Sequence, residues 1–205
     1  MNEINSAAGR YSKGVEMKKL TLVIASIVAM SAGSALAKGG GGGTLLGVNI
    51  FYDSGTSQIG SAAATKFVST DIDVNLGYVM SNGLYLGAIY VTDSFDTGLG
   101  YTPSITAYGA SVGYHHQSGW FIDGHYLLSA EYAKFSTATD KWNKGSGIQV
   151  DGGYGAALSN NFMLGVELSY TSMTFTNYNN GTVDSTTNKY VKTELQPKIR
   201  LTFMF

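Results

Sequence analysis

Apolar side chains recur at every second position along most of this chain, and this period of two constrains the fold more than any other feature. In the first segment the apolar positions are Leu46, Val48, Ile50 and Tyr52. Successive residues of a β-strand point to opposite faces, so the pattern predicts strands with one apolar and one polar face. The pattern occurs in eight segments, whose apolar positions begin at Leu46, Val68, Leu84, Tyr108, Trp120, Ile148, Phe162 and Val191. The sequence therefore predicts an all-β fold of eight strands.

The connections between these strands alternate between short and long. The short ones, 81–83, 116–119 and 159–161, are rich in turn-forming residues. The long ones are polar and run roughly from Asp53 to Thr65, Asp93 to Ser104, Ala133 to Gly145 and Thr176 to Asn188. Because neighbouring strands would be antiparallel, the long loops would all lie at one end, as in transmembrane barrels. We expect one up-and-down antiparallel barrel over residues 44–205, with no second domain.

The apolar face of the predicted strands carries no charged residue. A water-soluble barrel turns such a face inward, whereas a membrane barrel turns it towards lipid, and alternation alone fits both. Aromatic residues favour the membrane barrel, because two aromatic rows are expected where an outer face crosses the two membrane interfaces. The row at the short-turn end contains Tyr78, Tyr114, Trp120, Phe162, Phe203 and Phe205. The row at the long-loop end contains Tyr52, Tyr90, Tyr108, Tyr132 and Tyr170.

The first 37 residues are expected to lie outside the fold. The basic start Met17–Lys19, the apolar stretch Leu20–Met30 and the small-residue pattern Ala35–Ala37 are typical of a secretory signal peptide over residues 17–37. Residues 1–16 precede the natural start of such a signal, and we interpret them as a non-native or over-called extension. Residues 38–43 form a glycine-rich lead-in.

Charge and cysteine content exclude several other classes of protein. The 205 residues contain 13 Lys and Arg against 14 Asp and Glu, for a net charge of -1. Nucleic-acid affinity comes mainly from clustered Lys and Arg, so no nucleic-acid partner is expected. The absence of cysteine excludes disulfides and cysteine-ligated metal. Beyond residue 37 no uncharged apolar run approaches the ~18 residues that a membrane helix needs.

The inward face is predicted to hold a network of charged side chains. An eight-stranded barrel has an interior that side chains fill, so an open pore is not expected. Glu167 and Arg200 are each five residues from the short-turn end of their strands, and we predict that they pair. Lys198, Asp151, Asp123 and His125 would extend the network; Lys192 and Glu194 would face Glu131 or Asp71 nearer the long-loop end, and Asp73 shares the inward phase. Such a network either plugs the barrel structurally or gates a narrow ion path.

Enzymatic hypotheses find little support in the sequence. His125, Ser129 and Glu131 share one predicted inward face, but the His and Ser are four residues apart, and a plain role in the polar lumen is favoured. His115 and His116 lie at a turn and point to opposite faces, which does not favour a metal site. Gly152, Gly153 and Gly155 lie within a strand, and we interpret them as close-packing positions. We expect no enzyme, cofactor or metal.

The C-terminal segment Lys198–Phe205 alternates and ends in phenylalanine. It resembles the signal by which the barrel-assembly machinery recognises Gram-negative outer-membrane proteins, with Phe203 and Phe205 at the matching positions. As a whole the mature chain resembles the small barrels of the OmpA transmembrane domain and OmpX-like type. Two departures are Arg200, where that signal usually has glycine, and Pro197, which lacks the N–H that a ladder uses.

This resemblance implies an integral protein of the bacterial outer membrane. Its partners would be outer-membrane lipid and lipopolysaccharide, with periplasmic chaperones and the assembly machinery during biogenesis, and the chain would be a monomer. The leading hypothesis is a role in membrane structure or surface interaction through four long loops. A narrow channel or conduit for ions or small apolar molecules is the alternative, and a lipid-modifying enzyme a distant one.

Overall fold

The computed structural model describes residues 42–57, 65–96, 102–133, 141–179, 184–185 and 190–205. The predicted signal peptide, the extension before it and all of the glycine-rich lead-in except Gly42 and Gly43 lie outside these residues. Within the described part of the chain, no helix has the length and apolar composition needed to cross a membrane.

The fold consists of eight long strands and one strand of two residues, among the residues described. The strands are β1 (Gly43–Ser57), β2 (Thr65–Val79), β3 (Leu84–Asp96), β4 (Ser104–His115), β5 (Trp120–Ala133), β6 (Lys141–Ala157), β7 (Phe162–Asn179), β8 (Asp184–Ser185) and β9 (Tyr190–Met204). Their order in the sheet is β6-β5-β4-β3-β2-β1-β9-β7-β8, and pairing of β6 with β7 closes the ring. All of the pairings are antiparallel. The prediction of a closed, eight-stranded, up-and-down barrel is confirmed.

The strands extend further towards the long-loop end than the sequence predicted. β1 continues to Ser57 and β3 to Asp96, and β7 runs on to Asn179, so much of each predicted long loop is paired strand. The loop bounds were wrong because polarity was taken to indicate a loop. Thr is favoured in strands although Asp is not, and here pairing with the neighbouring strand continues through these polar residues.

Two of the short turns depend on glycine. Gly83 and Gly119 have φ angles of +90° and +101°, in the left-handed region that glycine adopts without steric cost. In the first turn the Leu84 backbone N–H donates to Asn82 Oδ1 over 3.1 Å. These turns fix the strand register at one end of the barrel, called here the short-turn end.

The apolar face of the strands points outward. Val166, Leu195 and Ile122 are 65%, 61% and 52% exposed, although a folded protein in water usually buries such residues. The polar phase points into the barrel, where even Asp73 and Asp123 are fully buried. Alternation alone left open which face of the strands points outward. In the closed sheet the apolar face is outside and the polar face lines the interior.

The predicted aromatic rows lie mostly on the outer face. Phe162 and Phe203 pack against each other at the short-turn end with ring centroids 4.9 Å apart. The exposed members of the two rows are Tyr52, Tyr78, Tyr90, Tyr108, Tyr114, Trp120 and Tyr170.

Tyr132 is an exception, and its predicted place in the outer row was wrong. The β4–β5 and β5–β6 registers shift between Leu127 and Ala130, so that both of these residues are buried inside. This bulge inverts the alternation beyond it. Tyr132 therefore packs against the interior cluster, with its ring centroid 6.2 Å from that of Phe175. Glu131 leaves the lumen phase and pairs with Lys141 at 3.1 Å, where the two side chains are 46% and 34% exposed.

Candidate functional site: the lumen

Eight buried ionisable residues on the inward faces of five strands form one cluster, called here the lumen network. None is more than 4% exposed. The alternation of β2, β5, β6, β7 and β9 aims these side chains inward, and closure of the ring brings them together. The members are Asp71, Asp73, Asp123, His125, Asp151, Glu167, Lys198 and Arg200.

Arg200 joins β9 to β5 and β7 across the lumen. Its Nη1 donates to Asp123 Oδ2 at 3.0 Å and to Glu167 Oε2 at 3.3 Å. Its guanidinium carbon lies 4.0 Å from the centre of the Phe121 ring, a cation–π geometry. Glu167 lies opposite Lys198 in the β7–β9 ladder, and Arg200 lies opposite Gly165. Glu167 and Arg200 are therefore offset by two positions along the ladder, and their side chains meet diagonally rather than directly opposite each other.

Lys198 provides the second buried cation, on the same strand as Arg200. Its Nζ lies 2.6 Å from Asp73 Oδ2 and 3.2 Å from Asp71 Oδ2. Gln149 links this group to β6, since its Nε2 donates to Asp73 Oδ2 at 2.8 Å and to both Asp151 oxygens at 3.1 Å. The sequence prediction omitted Gln149, although its inward phase was a signal that could have found it.

His125 lies between a hydroxyl and a carboxylate. Ser111 Oγ is 2.7 Å from His125 Nδ1, and Asp151 Oδ2 is 3.0 Å from His125 Nε2. This set contains the residue types of a serine-hydrolase triad. All three side chains are buried, however, and none lines either of the two cavities described below. A nucleophile needs access to substrate, so we interpret the set as a structural link from β4 to β6.

The hydroxyl and carboxylate that bind His125 differ from those grouped with it in the sequence. Ser129 and Glu131 were considered because they share its predicted phase, but the β5 bulge separates them from it. The neighbouring His115 also enters the lumen side of the barrel, where its Nε2 lies 2.9 Å from Asp123 Oδ1.

The charges nearer the long-loop end pair differently from the prediction. Lys192 contacts Asp93 and lies 2.5 Å from Glu194 Oε1. Asp71 forms its ion pair with Lys198, and Glu131 forms its ion pair with Lys141. Asp93 was missed because the sequence placed it at the start of a loop.

Carboxylates outnumber the basic side chains in the lumen network. Asp73, Asp151 and Glu167 each offer one oxygen within 4.8 Å of the others, a spacing suited to a metal ion. Lys198 and Gln149 already donate to Asp73, and Arg200 to Glu167. Donors of the network therefore already occupy these carboxylates in part, and each buried charge depends on its partners.

The lumen is also apolar over part of its length, which the sequence prediction of an ionic fill did not include. Buried apolar residues of β3, β4, β5 and β7 meet on the long-loop side of the network. The residues of this apolar cluster are Ile89, Val91, Ile105, Ala107, Leu127, Ala130, Met173 and Phe175, with Tyr132, Trp142 and Tyr190 packed against them. The signal was present in β3, where Tyr85, Ile89 and Val91 make the inward face apolar as well.

Two cavities flank these buried layers. The first, of about 400 Å³, lies at the short-turn end and reaches Arg200, His115 and Trp120. The second, of about 370 Å³, lies towards the long-loop end and reaches Phe51, Asp93 and Tyr190. The lumen network and the apolar cluster stand between them. This interior is a stack of packed layers with room for small molecules at both ends.

The glycines of β6 play different parts. A Cβ on Gly153 would come within 2.7 Å of the Phe121 ring, which in turn carries Arg200, so this glycine is a close-packing position as predicted. A Cβ on Gly152 would meet nothing within 4 Å. The close-packing interpretation was therefore wrong for Gly152.

The sequence matches no protein-family model and none of the curated proteins. Among solved structures, Neisserial surface protein A (NspA) is similar with a TM-score of 0.44 and 17% identity, over 82% of this chain and 98% of that one. The beta domain of the Bordetella autotransporter BrkA is similar with a TM-score of 0.28 and 12% identity, over 80% of this chain and 99% of that one. Similarities of this size carry no information about function.

Proposed function

We propose that this chain is an integral outer-membrane barrel that acts in membrane structure or surface interaction, with a lumen closed by its own side chains. The observation that carries the proposal is the inverted burial of the barrel. Large apolar residues such as Val166 and Leu195 are exposed while charged residues are fully buried. A lipid environment makes that arrangement favourable, whereas water does not.

The aromatic rows support the same placement. Tyr78 and Trp120 are exposed at the short-turn end and Tyr52 and Tyr170 nearer the other end, with aliphatic side chains such as Val150 between them. Such rows are typical of the two membrane interfaces. Export by the signal peptide over residues 17–37, and assembly through Phe203 and Phe205, belong to this proposal.

The test uses the mature chain, residues 38–205, refolded into phospholipid vesicles. A membrane barrel resists detergent until it is heated, so unheated and heated samples are expected to migrate differently on a gel. The heated sample is the internal control. Identical migration after incubation with vesicles, together with solubility of the chain without detergent, would contradict the proposal.

A second candidate function, a narrow conduit, is favoured by the two cavities on either side of the lumen network. In it, exchange of partners around Arg200 opens an ion path. Planar-bilayer recordings of the native chain and of Arg200→Ala distinguish the two functions. The closed-barrel proposal expects no conductance from the native chain. Conductance by the native chain would favour the conduit. No conductance from either the native chain or Arg200→Ala would exclude the gate.

A further inference from the structure

The seam between β1 and β9 is paired over less of its length than the other seams of the barrel. Its ladder runs from Leu45–Met204 only to Ile50–Ile199. β1 nevertheless continues to Ser57 along β2, and β9 extends back to Tyr190 along β7. Beyond Ile50 and Ile199 the two strands therefore present facing edges that no described backbone group bridges.

Pro197 lies two residues into this unpaired part of β9. A proline lacks the N–H that a ladder uses, and in a closed sheet it would remove a bond. Here the β9 ladder to β7 continues past it, with Leu168 opposite, while the ladder to β1 has already ended. The proline is thus compatible with the barrel because it stands at the open edge, and it prevents that edge from closing fully.

The second cavity lies directly behind this seam. Its lining comes from both edges, with Phe51 and Asp53 from β1 and Tyr190, Lys192, Glu194 and Gln196 from β9. Unpaired backbone at membrane depth is tolerated where it lines a cavity. The seam and the cavity therefore share the edges of β1 and β9.

The polar wall of this cavity favours a cation. Among the described residues, Asp53, Asp93 and Glu194 line it together with one basic residue, Lys192. Lys192 contacts Asp93 and Glu194, so one ammonium is shared between these two carboxylates. Two buried residues, Asp93 and Gln196, each 8% exposed as whole residues, also carry a side-chain oxygen that accepts no hydrogen bond from the described residues.

Other residues that line the cavity are aromatic or aliphatic. Phe51, Phe95, Tyr132, Tyr190 and Ile105 line it. Aromatic faces attract organic cations in addition to packing against apolar chains. The combination of excess carboxylate, unmatched acceptor oxygens and aromatic rings matches a ligand with N–H donors, positive charge and an apolar chain.

We propose that this cavity binds an amphipathic primary amine, with the ammonium at Asp93 and Gln196 and the alkyl chain in the β1–β9 seam. The cavity and its ligand do not depend on the membrane. That the ligand's alkyl chain extends into lipid does rest on the proposed function as an outer-membrane barrel. A cavity of about 370 Å³ is within the range of small-molecule sites.

The binding test uses the refolded chain in neutral detergent, with n-octylammonium as the probe. Trp142 reports on the site because its ring centroid is 6.1 Å from that of Tyr190, a cavity residue. Trp120→Phe removes the other tryptophan. Octanoate has the same chain with opposite charge, and octyltrimethylammonium keeps the charge without N–H donors. Binding of n-octylammonium at least ~10-fold tighter than both is expected; equal binding of octanoate would overturn the proposal.

Two variants test the residues assigned to the ammonium. Asp93→Asn and Gln196→Leu are each expected to weaken binding by about 10-fold, the loss of one charge-assisted contact. Glu131→Gln is the matched control, because it removes one negative charge from a pair that does not line the cavity. Heat-dependent gel migration verifies that each variant is folded. Should Asp93→Asn fail to fold, Gln196→Leu decides, and unchanged affinity there would overturn the assignment.

A cross-link tests the seam. The chain has no native cysteine, so Tyr52→Cys with Leu195→Cys can be bridged across the two edges while Pro197 is kept. The reagent is a short bis-methanethiosulfonate, from which each cysteine thiolate displaces a methanesulfinate and forms a disulfide. Bridging is expected to weaken n-octylammonium binding several-fold while leaving methylammonium binding unchanged. Identical n-octylammonium affinity before and after bridging would refute the role of the seam. A chain that binds the amine in micelles yet fails to insert into vesicles would refute only the membrane proposal.

Discussion

Removing the Arg200 guanidinium is expected to destabilise the barrel strongly. Arg200 is 2% exposed and neutralises Asp123 and Glu167, at 3.0 and 3.3 Å from the two carboxylates. Breaking a buried ion pair leaves a charge without a partner and costs about 3–5 kcal/mol. The contact with Phe121 adds about 0.5–2 kcal/mol. Arg200→Met keeps most of the side-chain volume, so the loss is expected to be electrostatic and to total about 3.5–7 kcal/mol.

The assay is equilibrium unfolding by urea from phospholipid vesicles, followed by tryptophan fluorescence. An equal slope of the unfolding free energy against urea concentration in the two chains would show that both expose the same surface on unfolding. Lys141→Met is the matched control: it breaks the Lys141–Glu131 pair, whose side chains are 34% and 46% exposed. Solvent screens that pair, and its loss is expected to cost about 0.2–1 kcal/mol.

A companion variant separates charge from packing. Adding Asp123→Asn and Glu167→Gln to Arg200→Met removes the carboxylates left without a partner. Part of the lost stability is expected to return, because neutral amides are less costly to bury than unpaired charges. If Arg200→Met cost no more than Lys141→Met, the buried network would not contribute as the geometry implies, and the reasoning would be refuted.

Three further predictions use the same unfolding assay or its cellular equivalent. Gly153→Ala is expected to cost about 1–3 kcal/mol by overpacking against the Val166 carbonyl oxygen and the Phe121 ring, whereas Gly152→Ala stays within about 0.5 kcal/mol; equal effects would contradict the assigned packing. Val166→Lys, in the middle of the outer apolar band, is expected to cost about 2–4 kcal/mol in vesicles, and no loss would argue against lipid contact there. Phe205→Ala is expected to lower the amount of barrel inserted in bacterial outer membranes while refolding into vesicles is retained, and normal cellular insertion would exclude an assembly role for this residue.

The strand pattern could be predicted from the sequence because it is a local property. Alternation at Leu46, Val48 and Ile50 requires only the pleat of a single strand. The short turns were also visible locally, since Gly83 and Gly119 supply the left-handed conformation. The inward position of Glu167 and Arg200 followed from the same alternation, and their proximity from counting residues along neighbouring strands.

The sequence predictions were wrong where a single extra residue reverses which face of a strand the following side chains point to. The bulge after Leu127 shifts the register of β5, which turns Tyr132 inward and moves Glu131 out of the lumen. Polarity also misplaced Asp93, which is paired strand rather than loop. Neither feature leaves a periodic signal, because a bulge is defined by the partner strand opposite it.

The sequence by itself determined the all-β class, the number of long strands and the division of their residues into two faces. Only the tertiary structure decided which face is outside, which charges meet, and that the β1–β9 ladder ends beside Pro197. The reason is the range of the interactions. Alternation and turns depend on neighbouring residues, whereas the pairing of Arg200 with Asp123 joins residues 77 apart in sequence and exists only once the ring has closed.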